Sequence, residues 1–177
     1  MSAPEFSHRI ALERLGTRPL EQNLVAGPEA REALARRFDL IAIERLEARL
    51  SAVRQGPGAA IEGRFVADVV QRCVVSGEPV PAHVAEAIAL RFEPLAAVAD
   101  EVELDADALD VLPVEDGAID LGEAVAQSLP LALDPYPRAP DAVLADARRL
   151  LTSEEEAASA ESAARAEASP FARLKRP

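Results

Sequence analysis

The chain has 177 residues, of which 49% are hydrophobic and 3% aromatic with no Trp, so it can build one domain with a core of Leu, Val, Ile and Ala around Phe38, Phe65 and Phe92. The formal net charge is −12, unevenly spread: residues 1–94 hold 12 basic and 13 acidic side chains, 95–167 hold 4 and 18, and the last ten hold three basic and none acidic. One cysteine excludes an internal disulfide, no stretch approaches the roughly 18 apolar residues of a membrane helix, and the N-terminus lacks secretion-signal features, which points to a cytoplasmic protein.

Residues 8–15 (HRIALERL) place Ile10, Leu12 and Arg14 on one side and Arg9, Ala11 and Glu13 on the other, the period of a half-buried strand. Residues 20–27 (LEQNLVAG) read as its antiparallel partner. Gly27-Pro28-Glu29 then starts a helix, and Ala30, Ala33, Leu34 and Phe38 give it an apolar stripe over 28–38. Residues 40–58 fit two periods: Ile43, Leu46, Leu50 and Val53 suit a helix, whereas Leu46, Ala48, Leu50 and Ala52 alternate as in a strand. Gly56-Pro57-Gly58 is a turn in either case.

Residues 61–75 read as a strand, with Phe65, Ala67, Val69, Cys73 and Val75 on one parity and Arg72 on the other. Gly77-Glu78-Pro79 ends it. Residues 80–94 alternate Val84, Ile88, Leu90 and Phe92, although their alanines also suit a helix. The acidic stretch 95–116 predicts a solvated loop with a short strand at 111–114. Asp120 and Glu123 form a variant capping box, and Leu121, Val125 and Leu129 follow at helical spacing until Pro130 and the later prolines end the helix. Residues 141–151 read as one more helix. A single domain is therefore expected over 1–151, then a low-complexity acidic linker at 152–168, frayed or disordered. The basic and apolar motif SPFARLKRP closes the chain at 169–177.

Catalytic signatures are absent from the sequence. A zinc site needs three or four converging ligands, but the one Cys stands far from His8 and His83. A nucleophilic Cys needs a base beside it, and Arg72 points away from Cys73 if both lie on a strand. Cys73 thus reads as a structural residue, together with Pro79 and Pro130. There is no phosphate-binding loop and no serine nucleophile elbow. The carboxylates at 100–116 lack the spacing of a calcium loop. No cofactor and no metal are expected, and enzymatic action is disfavoured. At the end of the chain, Phe171 and Leu174 beside Lys175 suit a partner's groove or the chain's own core.

Three stretches, VVQRCVVSGEPV, IDLGEAVAQSLPLALDPYP and SPFARLKRP, together resemble the YceD family, the large ribosomal RNA subunit accumulation proteins. Many members carry a second cysteine where this chain has Val70, so a role needing two thiols is absent; Ser169 replaces the usual Asn before Pro-Phe. The resemblance implies strands at 40–54 and 80–93. The expected fold is α+β: an antiparallel sheet of about five to six strands, one helix in the N-terminal half, C-terminal helices and an acidic flexible tail.

For function the resemblance implies a part in synthesis, processing or stability of large-subunit (23S) ribosomal RNA. An acidic surface repels phosphate and attracts basic chains, so the expected partner is a large-subunit ribosomal protein or an rRNA-processing factor, with Arg72, Asp120, Glu123, Phe171, Leu174 and Lys175 as candidate contacts. The rival is direct rRNA binding through Arg64, Arg72 and Arg91, which requires a clustered basic face. A metal-dependent enzyme using the acidic loop stands behind both.

Overall fold

The computed structural model describes residues 4–94 and 110–140, with 158, 159, 161 and 162 in addition. Its centre is a meander of three long strands, β3 (Ala42–Gln55), β4 (Gly58–Arg72) and β5 (Pro79–Pro94). β2 (Leu20–Val25) lies outside β3, and β6 (Asp110–Val114) outside β5. The four strands β2 to β5 are antiparallel, but β6 runs parallel to β5, pairing Leu90 with Asp110 through Pro94 with Val114. The sheet is therefore not wholly antiparallel. A parallel neighbour needs a long connection, and 15 residues of chain lie between β5 and β6.

Both segments of mixed period form strands. In β3, Leu46, Ala48, Leu50 and Ala52 are all buried, and each lies opposite a residue of β4. Over residues 47–52 strands pair on both sides, and β4 pairs along nearly the whole length, which outweighs any helical preference. The β3–β4 turn pairs Gln55 with Gly58 across Gly56, at φ 55, and Pro57. A positive φ followed by proline's fixed negative one matches a type II′ hairpin. One register shift, between Ile43 and Arg45, makes Glu44 the extra residue of a bulge.

The predicted pairing of 8–15 with 20–27 is not formed. β1 is only Arg9–Ala11 and pairs with β7 (Ala118–Asp120), while Leu12–Arg14 turn as a short 3-10 helix whose Leu12 N–H donates to Gly117 O at 2.9 Å. All six residues of β2 pair instead with β3, whose length offers a full ladder that the shorter first segment does not.

Helix α1 (Pro28–Arg37) follows its Gly-Pro-Glu start and packs Leu34 and Ala35 inward near β3. Helix α2 (Leu121–Leu131) lays Leu121, Val125 and Leu129 against the inner face of the sheet, and Pro130 sits in its last turn rather than just beyond it. Phe65, Leu50, Ile61 and Leu129 meet in this core, each buried side chain contributing about 1.5–3 kcal/mol. Phe38 is only partly buried; Phe6, not anticipated from sequence, is a core residue. The expected helix at 141–151 and the linker and motif of 152–177 lie essentially outside the described residues. Among the described residues no helix is long and apolar enough to cross a membrane.

Candidate functional site

Three places gather the polar side chains singled out above. The first is the start of α2. Asp120 is its N-cap, as the capping pattern predicts, and Oδ1 accepts from the N–H groups of Gly122 at 3.0 Å and Glu123 at 3.1 Å. The same oxygen accepts from His8 N–H at 2.8 Å, and Oδ2 from the Ser7 hydroxyl. Gly122 allows this approach: a Cβ there would sit 2.6 Å from Phe6 O.

Glu123 accepts two hydrogen bonds from Arg37, at 2.7 and 3.0 Å, and a third from Gln127. Arg37 also reaches Glu5 at 3.1 Å and lies over the Phe38 ring. Burial pushes the Glu123 carboxyl up, but the bonds from Arg37 and Gln127 outweigh it and hold it below its ordinary value. Arg37 is correspondingly raised, chiefly by its hydrogen bonds to Glu123. The two carboxylates expected to face a partner are thus turned inward, tying α2 to α1 and to the N-terminal segment.

The second place is the turn between β4 and β5. Cys73 lies one residue past β4 rather than within a strand, and Val75, expected on its buried side, is 41% exposed. The chain turns there because Cys73 N–H donates to Glu78 O and Gly77 N–H to Cys73 O, with Gly77 at φ 75. Cys73 Sγ is buried and accepts from Ser76 N–H at 3.4 Å and Ala139 N–H at 3.3 Å, which stitches the turn to the proline-rich segment after α2. Val74 N–H donates to Pro137 O at 3.0 Å and adds to the stitch. The Ser76 hydroxyl, then these backbone donors, lower the Cys73 thiol to about 6 against the opposing effect of burial. Pro79 opens β5 opposite Arg72.

Beside this turn runs a groove of about 610 Å³, bounded by Phe38–Leu40 after α1, Gln71–Val74, the last turn of α2 at Pro130 and the segment Leu133–Pro137. Gln71 is only 7% exposed. Its Nε2 donates to Asp134 O at 2.9 Å, while its buried Oε1 has no hydrogen-bond partner among the described residues.

The third place is the open face of the sheet. Register and exposure put Arg45, Arg49, Arg64, Arg72 and Arg91 there, interleaved with Glu21, Glu47, Glu62, Asp68 and Glu93. Arg45 pairs with Glu47 at 2.7 Å, Arg91 meets Glu93 at 3.5 Å, and His83 meets Asp68 at 2.6 Å. Arg64 and Arg72 share this face but stand roughly 26 Å apart along β4. Arg45 and Arg91 are thus matched by carboxylates, whereas Arg49 and Arg64 stand directly opposite each other on β3 and β4, with no carboxylate within salt-bridge distance among the described residues. Among the described residues no three His, Cys, Asp or Glu side chains converge as a metal site. Phe171, Leu174 and Lys175 lie outside the described residues, as do the carboxylates at 100–107.

The sequence profile of the family described as large ribosomal RNA subunit accumulation protein YceD matches residues 61–176, from the middle of β4 across the Cys73 turn and α2 almost to the chain's end. The chain belongs to the YceD family. Searches of curated proteins and of solved structures give no match. The YceD match takes in both the Cys73 turn and the Asp120 cap, whereas α1, β2 and β3 precede it.

Sequence reasoning missed Gln71, Arg37 and Asp134. Gln71 was findable: it continues the inward parity of Ala67 and Val69, where a polar residue is out of place. Arg37 and Asp134 carry no local signal, because their partners lie far along the chain.

Proposed function

We propose that this YceD-family chain is a non-catalytic, cytoplasmic factor in ribosome biogenesis that supports synthesis, processing or stability of 23S ribosomal RNA by binding a basic large-subunit ribosomal protein or processing factor. The family name ties such chains to accumulation of large-subunit ribosomal RNA. The observation that favours protein over RNA as the direct contact is the open sheet face, where arginines and carboxylates alternate in equal number. Phosphate binding draws its affinity from unmatched Lys and Arg that displace counterions. Five carboxylates interleaved with the five arginines leave this face neutral, with little of that to give. The surplus acid of residues 95–167 attracts a basic chain instead.

The test is to mix the full chain with purified basic large-subunit proteins and, separately, with 23S rRNA fragments, at low and high salt. A one-to-one protein complex that weakens with salt supports the reading. Tight rRNA binding that is lost in an Arg49→Ala/Arg64→Ala variant, with no protein complex, overturns it.

A further inference from the structure

The groove beside the Cys73 turn combines three features. Apolar side chains, Phe38, Leu40, Pro130, Leu133 and Pro137, line it together with polar ones, and exposed Val74 is part of the lining. Its polar groups are mostly acceptors. Asp39 and Asp134 line it, and neither is within salt-bridge distance of a cation among the described residues; Arg72 is the one cation in the lining. Finally, both helices end there: Asp39 follows the C-terminus of α1, and Asp134 the C-terminus of α2. Unsatisfied carbonyls at helix C-termini carry partial negative charge and favour a cation nearby.

The buried Gln71 Oε1 gives an independent sign. It stands in the groove wall with no donor among the described residues. An orphaned buried acceptor is destabilising until a donor reaches it. Apolar walls with a few convergent polar groups are the usual make-up of a recognition site.

We propose that this groove binds a segment of a basic protein, taking an apolar side chain against Phe38, Leu40 and Leu133 and an adjoining Lys or Arg between Asp39 and Asp134. A donor from the same segment satisfies Gln71 Oε1. This rests on the reading that the chain acts through a basic protein partner, and locates the contact.

The experiment uses the full chain with intact basic large-subunit ribosomal proteins of the same organism, followed by short peptides tiled across whichever protein binds. Three variants are compared: Asp39→Asn/Asp134→Asn, Gln71→Met, and Glu62→Gln on the open face as a control. Asn tolerates the positive φ of Asp39, 53°, and can keep the Asp134 bond to Tyr136 N–H, so the double variant is expected to fold. Bound peptides should pair an apolar residue with Lys or Arg. The double variant should weaken them about tenfold, and Gln71→Met about fivefold, with the fall of a few degrees in melting temperature that loss of the Nε2 bond to Asp134 O brings. Glu62→Gln should change nothing. If the intact protein binds all variants equally, the groove is not the contact, though the functional reading survives. If no basic protein binds the unaltered chain, both fall. If Gln71→Met binds the peptides as tightly as the unaltered chain, no donor of the segment reaches Oε1 and the argument from it is overturned.

Discussion

Replacing Asp120 by alanine removes one carboxylate from four donors at once. Gly122 and Glu123 N–H lose the cap of α2, His8 N–H loses its acceptor at 2.8 Å, and the Ser7 hydroxyl loses Oδ2. Loss of an N-cap costs about 1 kcal/mol, and the other two bonds add about 1 kcal/mol each. The total, about 3 kcal/mol, corresponds to a fall of roughly 12 °C in Tm at about 4 °C per kcal/mol for a domain of this size. Asp120→Asn keeps an oxygen for the three backbone donors and loses mainly the charge and the Ser7 bond, so it should cost only about 1 kcal/mol. Urea unfolding followed by far-ultraviolet circular dichroism measures both, with an unchanged m value as the sign of an intact reference state. An alanine variant within about 0.5 kcal/mol of the parent would refute the reasoning. If that stable variant also failed to bind a partner, Asp120 would be a recognition group instead of a cap.

Two further substitutions probe the fold. Gly63→Ala would put a Cβ 2.1 Å from Arg49 O and 2.9 Å from Leu50 Cα, both backbone atoms in the neighbouring strand, and should cost about 2–3 kcal/mol in urea unfolding; Gly27→Ala, with open space around it, should stay within about 0.5 kcal/mol. The Cys73 thiol, held at about 6, lies below its unfolded value of about 8.5. Its thiolate therefore adds stability that is complete above the unfolded value and lost as pH falls through the folded one. The stability gap between the parent and Cys73→Ala should be widest near pH 9 and narrow, as pH falls through about 6, to the constant cost of losing a buried sulfur; a gap constant with pH would show that the thiol stays neutral.

Where the sequence carried a local instruction, the structure follows it. Gly27-Pro28-Glu29 starts α1, and Asp120 caps α2. The alternation in 61–72 is the inward and outward face of β4. Errors arose where one pattern was consistent with two partners. Ile10 and Leu12 are both buried, as an alternating strand requires, yet a turn places them against β7 and the loop before it, not against β2. Cys73 and Val75 shared a parity that lasts only while the chain stays extended, and the turn after Arg72 ends it. The Arg37–Glu123 pair, 86 residues apart, is set by how α1 and α2 meet on the sheet, which no local pattern encodes.

The placement of charge bears on why the groove is the odd part of this surface. On the open face, Arg45 precedes Glu47 and Arg91 precedes Glu93 by two residues, the spacing that brings side chains to one side of a strand. The face as a whole is neutral, with five arginines against five carboxylates. Around the groove the local rules run the other way. An aspartate follows the C-terminus of each helix, where a negative charge is unfavourable by about 0.3–1 kcal/mol. A glutamine holds an inward strand position with one atom unpaired among the described residues. Any one of these is a small defect that substitution would relieve, and elsewhere the domain pairs Arg45 with Glu47 and Arg91 with Glu93 and caps the start of α2. Three defects converging on one apolar groove oppose stability in the free chain, and all three are relieved by the same addition, a cation and an N–H donor carried on an apolar segment. Departures from local consistency concentrate where a protein binds something.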